Sequence, residues 1–222
     1  MQCDGHNDEA SNDNRTYAAI ANLRQWPTFA QYRTIMKAMF SLFWQALTFK
    51  RSPEDTPYSI KLFLLVIATN LALSISGEII NRSGRADMAF AIPLFSVSVE
   101  LVMMSLFLHI KGLYNRVVQT ATTIFGGDIL LTCITVPLLA IALSLPQGSP
   151  LLGFLGLLEV VILGWSLGFR AFVYHRAMNI GLVQANMFAL TIFLLTTIVT
   201  VKAFPELLTQ AQAAAAKSSK SP

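Results

Sequence analysis

Positions 1–27 are polar, with Asn, Asp, Ser and Gly recurring without a period. Such a stretch buries too little apolar surface to offset the entropy of ordering it, so a disordered N-terminal tail is expected. The pattern then changes. Phe29, Tyr32, Met36, Phe40, Phe43 and Leu47 follow one another at steps of three and four, which puts them on one face of a helix. Arg33, Lys37 and Gln45 lie off that face. Aromatic residues opposed to basic ones suit a helix lying in a membrane interface, its apolar face against lipid or a partner. Packing of the same face onto the rest of the chain fits the pattern equally well. Segment 28–57 thus reads as an amphipathic interfacial helix and linker. It closes on Ser52-Pro53-Glu54-Asp55-Thr56-Pro57, where prolines and turn residues stop a helix.

Beyond this point apolar residues fill every helical face. Five runs follow, at about Tyr58 to Ile80, Met88 to Ile110, Thr123 to Leu145, Leu151 to Phe172 and Ile180 to Ala203. Each supplies the roughly twenty residues that a hydrocarbon layer of about 30 Å demands of a helix. They are separated by Asn81-Arg82-Ser83-Gly84-Arg85, by a polar connection from Lys111 to Thr120, and by Pro146-Gln147-Gly148-Ser149-Pro150. Pro205 ends the last, and 206–222, rich in Ala, Gln, Lys and Ser, is expected to be a flexible C-terminal tail. The expected fold is all-α: a polytopic membrane protein whose five-helix transmembrane domain, 58–205, follows the interfacial helix.

Composition supports this reading. Hydrophobic residues make up 54% of the 222 and charged residues 13%, against about 25% charged in soluble domains. That much apolar surface exceeds what one soluble core of this size can hide. The net charge of +4 does not point to nucleic acid, because the basic residues flank apolar runs instead of gathering on a soluble face. They act as topology determinants. Arg15, Arg24, Arg33, Lys37, Lys50 and Arg51 precede the first run, whereas the loop between the third and fourth carries no Lys or Arg. The expected orientation is therefore N-terminus cytoplasmic, C-terminus on the far side, with Arg82, Arg85, Lys202, Lys217 and Lys220 counting against it. Residues 1–14 hold Asp4, Asp8, Glu9 and Asp13 and no Lys or Arg, so no signal peptide is expected and insertion should begin with an internal span. Cys3 and Cys133 lie in unlike surroundings and suggest no disulfide.

Candidate chemistry centres on polar residues inside the runs. Glu100 and Glu159 each fall near the middle of one, where a charge costs roughly 2.5–3.5 kcal/mol on insertion scales. They could be neutral and hydrogen-bonded, could pair with Asn70, Asn186 or each other as polar glue, or could line an ion or proton path. Asp128 follows Phe125-Gly126-Gly127, close to the Gly-x-Gly-Asp motif of intramembrane aspartyl proteases. The first Gly is replaced by Phe125, and no other run holds the second aspartate that a shared-proton pair needs. The paired glycines read as a bend or a close packing point. Gly164-Trp165-Ser166-Leu167 lacks the residues of a rhomboid-type serine site. His6, His109 and His175 stand far apart, without a second ligand at helical spacing, and no Gly-rich phosphate loop is present. No enzyme active site, metal site or cofactor is expected. Gly164 and Gly168, preceded by Gly153 and Gly156, have the spacing of close helix packing. Arg170, two residues on, reads as a topology anchor at the end of the fourth run.

Asn115-Arg116-Val117-Val118-Gln119-Thr120, leading into Phe125-Gly126-Gly127-Asp128, resembles the re-entry segment of Yip-type five-span membrane domains. The end of the fourth run, from Trp165-Ser166-Leu167 to Tyr174-His175-Arg176-Ala177, resembles the end of the fourth span in the bacterial, uncharacterised branch. The resemblance spans about residues 35–205. It implies an inner-membrane protein that binds other membrane proteins or shapes lipid; the eukaryotic members bind small GTPases, for which the short N-terminal region here shows no motif. The expected function is a non-enzymatic scaffold or accessory factor whose partners are membrane lipid and other membrane proteins or itself. The alternative is a small transporter or channel subunit using the intramembrane glutamates.

Overall fold

A computed structural model of the chain describes residues 29–82, 86–146 and 148–205. The tails expected at 1–27 and 206–222 lie outside the described residues, as do the side chains of Phe29, Tyr32 and Met36. Every regular element described is helical: α1 Phe29–Leu47, α2 Ile60–Arg82, α3 Ala86–Ile110, α4 Val117–Ser144, α5 Pro150–Met178 and α6 Leu182–Ala203, with short 3-10 turns at Pro53–Asp55 and Tyr114–Arg116. Helices α2 to α6 are long and apolar enough to cross a membrane. The chain divides after Ser41 into two units. In the first, α1 carries Phe40, which is 57% exposed. The second begins with the last turns of α1 and holds all five long helices.

Within the second unit α2 packs on α3 and α4, α4 on α5, α5 on α6, and α6 back on α3. The five helices thus form a closed ring, with a smaller contact of α3 with α4 across it. Their apolar surplus points outward. Leu64, Leu65, Phe90, Val102, Leu157 and Val160 are exposed, and only 6% of the most apolar stretch of α5 is buried. In water this surface would be untenable; in hydrocarbon it is what a spanning helix presents. The fold is that of a polytopic integral membrane protein.

Two boundaries depart from expectation. α4 begins at Val117, inside the segment read as a polar connection. Thr120 looks like a loop residue by hydropathy, yet it and its two neighbouring threonines satisfy their hydroxyls on their own helix: Thr120 donates to the Arg116 carbonyl at 2.8 Å, Thr122 to Val118 at 2.6 Å and Thr123 to Gln119 at 2.8 Å. With the hydroxyls thus occupied, Thr120 to Gly127 form an uninterrupted buried run. α5 continues to Met178, past the end expected at Phe172. Its last turns bury Val173, Tyr174, Ala177 and Met178, while His175 and Arg176 favour the negative end of the helix dipole.

The end of the ring near Pro53 is tightly built. The Thr56 and Thr123 hydroxyls share a hydrogen bond of 2.8 Å, and Gln119 Nε2 donates to the Thr56 carbonyl at 3.0 Å. Trp165 Nε1 donates to the Leu47 carbonyl at 3.1 Å. Phe43, Ala46 and Leu47 are buried. Phe43 and Leu47, assigned by pattern to a lipid or partner face, therefore pack within the chain itself. The Phe43 ring fills the space where Gly126 lacks a side chain; a Cβ at 126 would stand 2.3 Å from it. Gly127 receives Phe169 in the same way, at 2.4 Å. Gly77 on α2 is also close-packed, though less tightly: a Cβ there would stand 3.3 Å from Val136. A Cβ added at Gly153, Gly156 or Gly164 would meet nothing within 4 Å, and one at Gly168 only Phe49 at 3.9 Å, among the described residues, so their spacing does not mark a helix contact within this chain.

Candidate functional site

The residue after Gly127 changes the character of the interior. Asp128 on α4, Glu100 on α3 and Arg170 on α5 meet in the middle of the ring. Arg170 Nε donates to Glu100 Oε1 at 2.9 Å, and Nη2 donates to Asp128 Oδ2 at 2.8 Å and to Glu100 Oε2 at 3.4 Å. Arg170 Nη1 donates to Ser166 Oγ, one turn back on the same helix. The side chains are 17% (Arg170), 14% (Glu100) and 14% (Asp128) exposed. The planar guanidinium suits this task because its fork reaches two carboxylates at once and stays charged. With both carboxylates ionised the cluster holds one positive and two negative charges. The surplus negative charge would be costly in a low-dielectric interior unless a cation or a proton meets it.

Arg170 is where sequence reasoning failed. Taken as an anchor at a helix end, it is instead the hub of the cluster, eight residues before Met178 and so about 12 Å inside α5. The signal was present: an Arg still followed by apolar residues, whose polar neighbour Ser166 stands at i−4. It was masked by placing the helix end at Phe172. Glu100 is paired with Arg170 and not with Glu159, Asn70 or Asn186. Glu159 is exposed, and Asn186 is exposed and bonds its own helix through Leu182 at 2.9 Å. Asn70 is buried, at 4% exposure, on the face of α2 that looks into the ring.

Two cavities open from the cluster. One, of about 510 Å³, is lined by polar groups that include Asn70, Ser74, Thr132, Asp128 and Glu159. The other, of about 450 Å³, is lined from α6 by Thr196, Thr197 and Thr200. They share Ser96, Glu100, Ser166 and Arg170 as common walls. A smaller space of about 230 Å³ continues from Ser74, Thr132, Thr135 and Glu159 to Glu78 and Asn81, at the opposite end of α2 from Pro53. All five ring helices thus give polar side chains to these cavities, set among walls that are otherwise mostly apolar. Two buried hydroxyls, Thr196 Oγ1 in the second cavity and Tyr174 Oη one turn beyond Arg170, have no hydrogen-bond partner among the described residues. Buried polar atoms are rarely left so, and such atoms mark places that accept water, an ion or a ligand.

Other candidates are not gathered there. His109 is exposed near the Tyr114 ring, and His175 Nδ1 donates to the Ile180 carbonyl. Among the described residues no three His, Cys, Asp or Glu side chains come together as a metal site. Arg170 bridges Asp128 and Glu100, an arrangement unlike the shared proton of a carboxyl pair. No protein-family model, curated protein or solved structure matches the chain.

Proposed function

We propose that the chain is a small membrane transporter or channel subunit of non-enzymatic type, in which a cation or proton, alone or with a polar solute, is held at Glu100, Asp128 and Arg170. One observation carries this reading: five membrane-length helices close in a ring around one guanidinium held against two carboxylates, and two cavities open from that cluster. Ionisable residues kept inside a spanning bundle are costly, and they mark ion and proton pathways in pumps and transporters. The surplus carboxylate supplies the charge that a cation would answer. The Lys and Arg balance supports an orientation with the N-terminus cytoplasmic, and the bacterial inner membrane is the compartment that goes with the Yip-type resemblance.

The test uses proteoliposomes of the full chain with imposed proton, sodium and potassium gradients. Wild-type vesicles should dissipate one of the three, and Glu100→Gln should slow it at least about tenfold, a loss of about 1.4 kcal/mol of stabilisation. Glu100→Gln leaves Arg170 matched one-to-one with Asp128, so its melting temperature should stay close to that of the parent. Vesicles as tight as protein-free ones to all three ions would sink the proposal.

A second reading, a scaffold or accessory factor for lipid or other membrane proteins, draws on the exposed Lys37 and Phe40 of α1 and on the Yip-type resemblance. Release of the full-length protein from a stoichiometric partner by Phe40→Asp, with no ion flux in vesicles, would favour it.

A further inference from the structure

A second polar space lies away from the cluster, where the turn at Pro53–Asp55 meets the start of α4 and the end of α5. It is a cavity of about 400 Å³ lined by Ser52, Glu54, Arg116, His175, Arg176 and Asn179. Arg116 is anchored at its wall: one Nη1 atom donates to Glu54 Oε1 at 2.6 Å and to the Ala177 carbonyl at 3.2 Å. Its other guanidinium nitrogens make no hydrogen bond among the described residues. Arg176 lies over the Phe172 ring, 5.7 Å from its centre, and has no carboxylate partner among the described residues. Two guanidinium groups therefore face a single carboxylate, leaving one positive charge before His175 is counted. Ser52 and Asn179 add neutral hydrogen-bonding groups.

The depth of this cavity matters. The apolar stretch of α5 gives way to His175 and Arg176 beside it, and Tyr58 and Tyr114 are exposed at the same end of the ring. Tyrosines at the ends of spanning helices mark the level of the lipid headgroups. Guanidinium forks bind phosphate oxygens pairwise, and basic pockets between helix ends at that level suit anionic headgroups. We propose that the cavity is a binding site for a phosphate group, clamped by Arg116 and Arg176, whose source is an anionic phospholipid.

The experiment is lipid retention and thermal melting of the full-length protein in mild detergent. Phosphatidylglycerol, phosphatidylcholine and inorganic phosphate are the probes, read by native mass spectrometry and by melting temperature. Phosphatidylglycerol should be retained in preference to phosphatidylcholine and should raise the melting temperature. Arg176→Gln should cut that retention about tenfold, or about 1.4 kcal/mol, while leaving the lipid-free melting temperature unchanged. Lys111→Gln, which removes an exposed charge near the same end but outside the cavity, should change neither. Protection by inorganic phosphate that Arg176→Gln abolishes would keep the site and make a free phosphate its ligand. Equal retention by Arg176→Gln and the parent would overturn the proposal. So would an equal loss in Lys111→Gln, because the effect would then be one of general charge.

Discussion

Helix α4 has two halves that behave as different materials. From Thr120 to Gly127 every residue is buried, hydroxyls are returned to the backbone, and two glycines admit phenylalanine rings from α1 and α5. From Asp128 onward Leu131 is the one buried residue, and the helix faces cavities on one side and the outside on the other. The first half is close-packed, as a protein interior ordinarily is. The second borders cavities whose apolar walls carry a few polar groups. The boundary falls at Asp128, directly after the glycine pair. A rigid packed end can hold a charged cluster at a fixed place, while the hollow end leaves room for something to reach it.

The largest test of this contrast is at the boundary itself. Arg170→Met removes the cation and leaves two carboxylates facing each other, and breaking a buried ion group in this way costs about 3–5 kcal/mol. The melting temperature in detergent should fall steeply. The triple variant Arg170→Met, Glu100→Gln, Asp128→Asn removes the charges together and should recover most of the loss. A single variant that melts like the parent would show that the cluster does not hold the ring.

The same substitution in two places sharpens the comparison. Gly126→Ala puts a Cβ 2.3 Å from the Phe43 ring, and overpacking of this kind costs about 1–3 kcal/mol. Adding Phe43→Leu should return part of it. Gly164→Ala meets nothing within 4 Å and should be neutral or stabilising by up to about 1 kcal/mol, since alanine is the better helix former. Equal melting shifts for the two would erase the distinction between packed and open surfaces. A smaller effect is expected of Thr123→Val. It deletes the hydrogen bond to Thr56, both partners being buried, for a loss of about 1 kcal/mol; Thr56→Val on the same background should add little. The smallest belongs to Glu159→Gln. This exposed side chain in the hollow half should shift stability by less than about 0.5 kcal/mol, yet it lies on the space leading to Glu78 and Asn81 and should slow flux in the vesicle assay.

Much of the architecture could be read along the chain. The five apolar stretches needed only composition and length, because a bilayer sets both. Glu100 and Asp128 stood out for the same reason: a charge in hydrocarbon is conspicuous. What failed were judgements about residues whose polarity is settled by neighbours. Thr120 read as connection, and the run was begun only at Thr123, because hydropathy ignores a hydroxyl bonded one turn back. Arg170 read as an anchor because a helix end was drawn at Phe172, two turns early. Phe43 and Leu47 had the right period, but a period states that a face is buried without naming what buries it.

The sequence by itself determined an all-α chain with five helices long and apolar enough to span a membrane, since those properties reside in each segment separately. Only the tertiary structure decided that α6 closes the ring against α3, that Gly126 and Gly127 are sockets for Phe43 and Phe169, and that Arg170 joins Glu100 to Asp128. Those contacts join residues 42 to 104 positions apart. They depend on how each helix is rotated and which neighbour it meets, and no local pattern of apolar residues carries that information when every face of a helix is apolar.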